Sequence, residues 1–257
     1  MLDTAAFLAE LNDRGFVVVP EMLDADYCRR AAGELARAVA AEDAYHGNAQ
    51  HHDHGMVLVC ARYGGAFLEL LGLASAMEPF EAALGSGCIV YAYTSSSMPP
   101  SASNYSGRVH VDCPRLIPGY LSTMGGLFML DEFTKDNGAT WVLPGSHTRA
   151  DLPSDDEFSA GAIQVIAPAG SAVFFNARLV HRGGINRTSA WRHALTISMV
   201  RPWMKQRLDL PRLLKDLDFI GQPARVRQKL GFLARVPESY EEYYAPAHLR
   251  PYQQPTE

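Results

Sequence analysis

Apolar residues recur at helical spacing near the start of the chain and then give way to short alternating runs. Phe7, Leu8 and Leu11 lie on one side of a helix that Asp3 or Thr4 can cap and Gly15 can end. The run "FVVVP" predicts a brief strand. Asp24 is placed to cap a second amphipathic helix with Tyr27, Leu35 and Val39 on its buried side, which runs out in the polar stretch "HGNAQHHDHG". Weaker helical patterns cover 67–73 and 77–84. From Cys88 the texture changes to "CIVYAYT", "GRVHVD", "YLSTMGGLFML", "ATWVLP", "AIQVIA", "SAVFF" and "WRHALTISMV". These runs are separated by "KDNGA", "PGSH" and "APAG", each with Gly, Asn or Pro where a turn needs it. Asn137-Gly138 and Pro144-Gly145-Ser146 therefore read as turns that set register. Many short strands so punctuated predict a sandwich or barrel rather than a βαβ sheet. Past Pro202 the pattern is helical and basic, as in "LPRLLKDLDF" and "PARVRQKLGFLARV".

These patterns predict a single domain over 1–257: a helical N-terminal part at about 1–87, a mainly β core at about 88–202 and a helical C-terminal part at about 203–257. No repeat, low-complexity segment or linker interrupts it. Hydrophobic residues make up 47% of the 257 positions and charged ones 20%, with a net charge of -5. Nothing in that balance neutralises a run of phosphates, which argues against a nucleic-acid binder and for a small-molecule partner. Cys28, Cys60, Cys88 and Cys113 form no CxxC pair, so neither a zinc knuckle nor a disulfide framework is expected. The start "MLDTAAFLAELNDRGF" lacks the basic and apolar regions of a signal peptide, and no apolar run reaches the roughly 20 residues of a membrane span. A cytoplasmic chain is the expectation. Oligomeric state is not encoded legibly.

The chemistry concentrates in "GRVHVDCPR". On a strand, His110 and Asp112 project from one face while Val109 and Val111 project from the other. An imidazole and a carboxylate so placed supply two ligands of a 2-His-1-carboxylate site, which leaves adjacent positions open on Fe(II) for a cosubstrate and dioxygen. The third ligand should be a histidine brought in from another strand. His181, just after "SAVFFN", is the candidate. Eleven positions later, Arg192 opens the run whose alternation sets Arg192, Ala194, Thr196 and Ser198 on one face and Trp191, His193, Leu195, Ile197 and Met199 on the other. An inward arginine followed by small and hydroxyl residues suits a carboxylate held bidentately. His193, on the opposite face, reads as packing. His51 and Asp53 in "HHDH" also spell the pair, but without alternation or a downstream arginine, and read as a polar loop. Tyr105 and Arg115 flank the motif and are the candidate substrate contacts. Arg115 would suit an anionic group or bridge to the acidic loop "DLPSDDEF".

The ordered set "HVD", "DEFTKDNGATWVLPGSH" and "HRGGINRTSAWRHAL", together with "FLAELNDRGFVVVPEMLDADYCRRAAGEL" upstream, resembles the phytanoyl-CoA dioxygenase family of Fe(II)- and 2-oxoglutarate-dependent oxygenases. The resemblance covers most of the chain. It implies a cupin-like jelly roll (double-stranded β-helix) with flanking helices. It implies iron bound by His110, Asp112 and His181, Arg192 on the distal carboxylate of 2-oxoglutarate, and O2 as co-reactant. Hydroxylation of an unactivated C–H bond, with release of succinate and CO2, is the default outcome. Desaturation, epoxidation and ring formation remain open, and the carboxylate at 112 disfavours the chlorination run by relatives with a small residue there. Family members often carry a serine two residues after the distal histidine. This chain has Gly183, with Thr196 or Ser198 as hydroxyls that could compensate. A cupin-like metalloenzyme without 2-oxoglutarate and a non-catalytic binding jelly roll are the alternatives.

Overall fold

The computed structural model describes residues 2–47, 55–216 and 221–250. Helix α1 (Thr4–Arg14) begins where the Asp3 side chain accepts the Ala6 N–H, and ends at Gly15, which takes up a left-handed φ of 83°. Strand β1 (Phe16–Val19) follows directly. Asp24 caps α2 (Ala25–Tyr45) by accepting the Tyr27 N–H at 2.7 Å, and Tyr27, Leu35 and Val39 are buried on it. Two further helices, α3 (Gly65–Gly72) and α4 (Ala74–Leu84), complete the N-terminal part. The stretch containing His51 and Asp53 lies outside the described residues.

The β part supplies β2 (Ile89–Ser95), β3 (Thr123–Met129), β4 (Trp141–Val142), β5 (Ile163–Gln164), β6 (Ala172–Asn176), β7 (His181–Arg182) and β8 (Ala194–Val200). They form two antiparallel sheets, ordered β1-β6-β3-β8-β2 and β5-β4-β7. Alternation assigns each strand's faces. On the larger sheet Phe174, Leu195, Ile197 and Met199 join one buried cluster with the residues of α1 to α4. Phe16, Leu127, Val173, Phe175 and Ala194 join a second cluster with Val142 of the smaller sheet and Leu179. One face of the five-stranded sheet is thus covered by helices and the other by the three-stranded sheet, so both faces bury apolar side chains.

Phe174 fixes the helical side. Its ring meets Phe7, Phe80 and Phe128 edge-on at centroid distances of 5.8, 5.2 and 5.7 Å, joining α1, α4 and β3. Such pairs add roughly 0.5–1.5 kcal/mol each beyond burial of the ring. The "GG" inside β3, which would ordinarily weaken a strand, is the space these rings need. A Cβ on Gly125 would lie 2.2 Å from the Phe175 ring, and one on Gly126 2.5 Å from Phe80.

Two local expectations are corrected. "GRVHVD" forms no strand but an isolated bridge at His110, because the amides of Asp112 and Cys113 both turn to the Ala177 carbonyl at 2.9 Å. The acidic stretch read as a loop contains helix α5 (Asp155–Gly161), started by a capping box in which Ser154 and Glu157 satisfy each other's backbone amides. The C-terminal helices α6 (Leu210–Leu213), α7 (Ala224–Lys229) and α8 (Tyr240–Tyr244) are short. Lys229 of α7 is buried, ion-paired to Glu81 at 2.9 Å and donating to the Ser86 carbonyl at 3.1 Å, which ties this part to α4 and the start of β2. Among the described residues no helix is long and apolar enough to cross a membrane.

Candidate metal centre

His110 and His181 come together through the backbone. Each residue's N–H donates to the other's carbonyl at 3.0 Å, a reciprocal antiparallel bridge that extends the three-stranded sheet past β7. Their rings consequently sit 4.3 Å apart between centroids. The Ala177 carbonyl anchors Asp112 beside them, with Oδ1 3.6 Å from His110 Nε2 and 3.9 Å from His181 Nε2. One donor atom from each of the three residues lies within 4.8 Å of the others. All three side chains are only partly exposed.

Both imidazoles are oriented the same way. His110 Nδ1 is 2.8 Å from the Arg108 carbonyl and His181 Nδ1 is 2.9 Å from the Leu179 carbonyl. A carbonyl only accepts, so each Nδ1 carries a proton and each Nε2 is the ring nitrogen left facing Asp112. Burial, followed by the neighbouring His181, holds the His110 imidazole below its ordinary pKa. Two imidazoles held by Nδ1–H, with both Nε2 atoms beside a carboxylate, are a donor set for a divalent transition metal. A narrow apolar cleft between the sheets, lined by Leu127, Val142, Val173 and Phe175 among others, reaches His181.

Arg192 stands apart from this cluster. It precedes β8, is bridged to Met98 through paired backbone hydrogen bonds, and is 1% exposed. Its guanidinium donates to the carbonyls of Ser96 at 2.8 Å and Gly138 at 3.1 Å and lies 4.1 Å from the centre of the Phe133 ring. Nε has no hydrogen-bond partner, and no ion pair with a carboxylate is formed among the described residues. Burial pushes its pKa down to about 10. The cation is thus enclosed by carbonyls and a ring with one donor unused, and the charge of Asp131 is the largest influence opposing its burial.

Tyr105 sits half-buried in a short turn, Tyr105–Gly107, within electrostatic reach of Arg192. Arg115 is exposed and makes no ion pair or hydrogen bond among the described residues. The acidic partner once open to it, Glu157, is taken by Arg149 at 3.3 Å. The arginine whose charge bears on His110 is Arg108 instead. Sequence reasoning also passed over Arg178, a buried residue whose guanidinium donates to the carbonyls of Pro114 and Arg149 and so holds the chain just beyond Asp112. Its partners are backbone oxygens, which leave no mark in a sequence. His193 packs parallel to Trp191 at 6.0 Å, with Nδ1 3.0 Å from the Ser97 hydroxyl.

A family model described as phytanoyl-CoA dioxygenase (PhyH) matches residues 11–194. The chain belongs to the phytanoyl-CoA dioxygenase family. Uncharacterized protein Rv1501 of Mycobacterium tuberculosis is 30% identical over 250 residues, covering 94% of this chain and 92% of its own. Dioxygenase trt7 of Aspergillus terreus is 39% identical over 77 residues, 29% of this chain and 26% of that one. Among solved structures, EvdMO1 superposes with a TM-score of 0.63 at 21% identity over 77% of this chain, which spans 50% of the EvdMO1 chain. At that identity the likeness concerns the fold: antiparallel sheets with helices against them. Membership places the chain among dioxygenase enzymes, whose non-heme members use iron.

Proposed function

We propose that the chain is an Fe(II)- and 2-oxoglutarate-dependent oxygenase that oxidises, by default hydroxylates, an unactivated C–H bond of a small-molecule substrate in the cytoplasm. In this reading residues 1–257 are one catalytic domain, with a jelly-roll core at 88–202 walled by the helical parts on either side. His110, Asp112 and His181 hold the iron, and Arg192 grips the far carboxylate of 2-oxoglutarate. The carrying observation is the pairing of two features: two histidines with Nδ1–H tied to carbonyls and Nε2 aimed at Asp112, and a buried guanidinium with an unused Nε.

The donor set fits a ferrous ion, which with 2-oxoglutarate and O2 would supply an oxidant able to break C–H bonds, releasing succinate and CO2. The chain's own contribution is positional. The Arg108 and Leu179 carbonyls keep both imidazoles in one tautomer, and Arg192 orients the dicarboxylate. The apolar lining of the cleft limits water near the reacting bond. Arg115 and Tyr105 are assigned to substrate contact.

One observation favours a second reading: Arg192 already donates to two carbonyls and does not line the cleft. A metalloenzyme that makes no use of 2-oxoglutarate would look the same there. Protein loaded with Fe(II) without oxygen and titrated with 2-oxoglutarate separates them. Saturable binding, followed by succinate formation when oxygen and substrate are admitted, is the expected result. Metal uptake with no binding of 2-oxoglutarate refutes the proposal in favour of the second reading.

A further inference from the structure

Gly183 lies two residues beyond His181, where an extended chain would return a side chain to the histidine's face. That place is already filled. A Cβ built on Gly183 would be 2.4 Å from the Ser106 hydroxyl and 3.1 Å from Met98 Cε, so the Ser106 side chain occupies the volume that a side chain at 183 would take. The contact is held from both sides. The Gly183 N–H donates to the Ser106 carbonyl at 2.7 Å. Asn104 Oδ1 accepts the Ser106 N–H at 3.0 Å and its hydroxyl at 2.7 Å, while Asn104 Nδ2 donates to the Ser97 carbonyl at 2.9 Å.

The same spot connects to Arg192. Met98, which touches the Gly183 position, is bridged to the Arg192 backbone. Gly138, whose carbonyl accepts from the guanidinium, packs against Met98 and Gly184. Tyr105, next to Ser106, lies within electrostatic reach of the guanidinium. Ser106 therefore meets the chain two residues past the distal histidine, at a position also touched by Met98, whose backbone pairs with that of Arg192.

We propose that Ser106 is a cosubstrate-binding residue, its hydroxyl donating to the 2-oxoglutarate carboxylate held by Arg192 and taking the role that a hydroxyl side chain at position 183 would fill. This rests on the reading of the protein as a 2-oxoglutarate oxygenase. The hydroxyl turns from Asn104 toward the carboxylate without orphaning a group, since Asn104 Oδ1 keeps the Ser106 N–H. Gly183 is what admits the turn Tyr105–Gly107 so close to the distal histidine. Thr196 and Ser198 are then not needed for this contact.

The test is anaerobic titration of the full-length Fe(II) protein with 2-oxoglutarate, followed by the visible metal-to-ligand band. Ser106→Ala should weaken binding about tenfold or more, as expected for a hydrogen bond to a charged group, with Fe(II) affinity unchanged. The double variant Ser106→Ala/Gly183→Ser, which moves the hydroxyl to the strand, should recover affinity to within a few fold of the parent. Parent binding that Ser106→Ala leaves unchanged overturns this inference alone. So does a loss on Ser106→Ala that Gly183→Ser does not repair, or a comparable loss in Thr196→Val or Ser198→Ala. A parent that binds iron but not 2-oxoglutarate overturns the proposed function, and this inference with it.

Discussion

Replacing Arg192 by methionine tests the electrostatics of the site in one step. Burial depresses the guanidinium from its ordinary pKa to about 10, which corresponds to about 3 kcal/mol of unfavourable charge burial. A carboxylate delivered to that cation recovers energy of that order, so the variant should bind 2-oxoglutarate roughly a hundredfold more weakly. The ligand-free fold responds differently. Methionine leaves the Ser96 and Gly138 carbonyls without a donor, at roughly 1–3 kcal/mol each, but also removes the buried charge. The two largely offset, and Tm of the ligand-free variant should shift by only a few degrees. At one hundred times the parent's Kd, 2-oxoglutarate stabilises the parent by about 2.7 kcal/mol, or roughly 5–10 °C for a chain of this size, and the variant by only about 0.4 kcal/mol. Anaerobic thermal melts of the Fe(II)-loaded proteins with and without cosubstrate measure both quantities. A variant that keeps the parent's ligand-induced shift would refute the reasoning, since the guanidinium would then not be meeting the dicarboxylate.

Alanine at His110, Asp112 or His181 should lower Fe(II) retention by roughly a hundredfold or more, beyond the 10–100-fold typical of losing an outer-shell partner. Circular dichroism should stay unchanged, because these side chains are partly exposed, and metal content after desalting decides the matter. Burial holds the imidazoles of His147 and His193 below their ordinary pKa, His147 lying against the Asn12 carbonyl with Arg178 also lowering it and Asp13 raising it. Unfolded histidines take up protons near pH 6.5 while these stay neutral, so stability should fall as pH drops from about 7 toward 5. His147→Gln should flatten that slope in urea titrations at the two pH values, and an unchanged slope would contradict the assignment. Gly126→Ala should destabilise the fold by about 1–3 kcal/mol, read from the urea midpoint, because its methyl meets the Phe80 ring; a neutral outcome would mean that the packing of α4 on β3 is loose.

Local periodicity carried much of this fold. The cap at Asp24, the stop at Gly15 and the alternation along β8 follow from side-chain size and polarity within a few residues, and the structure agrees with each. The same alternation put Arg192 on the face of Ala194, which is where the Phe133 ring meets it. Failures came where one local signal opposed another or where the partner was backbone. Ser154 and Glu157 form a capping box, yet the acids around them make "DLPSDDEF" read as a loop. "GRVHVD" alternates well enough for a strand, but Ala177 captures two of its amides and ends the pairing at His110. The clamp of Arg178 on Pro114 and the seating of Ser106 against Gly183 are contacts between distant segments through carbonyls and empty volume, and neither has a residue-type signature.

The two ends of the site differ in what folding has already settled. At the metal end, backbone pairing sets the separation of His110 and His181, and the carbonyls of Arg108 and Leu179 fix their tautomers, so little conformational freedom remains to be lost on ligation. At the other end, a cation is enclosed without an ion pair among the described residues, and the Ser106 hydroxyl is occupied by Asn104. On the proposed function, a metal ion would enter a prepared site, whereas a dicarboxylate would have to draw the hydroxyl from Asn104 while neutralising Arg192. The charge compensation drives that exchange, since an anion meeting a desolvated guanidinium gains more than one meeting a hydrated one. The proposed function then predicts specificity for a dicarboxylate over a monocarboxylate: only a ligand long enough to reach from the metal cluster to Arg192 would relieve the buried charge, and anaerobic titration of the Fe(II) protein with a monocarboxylic 2-oxo acid should show much weaker binding.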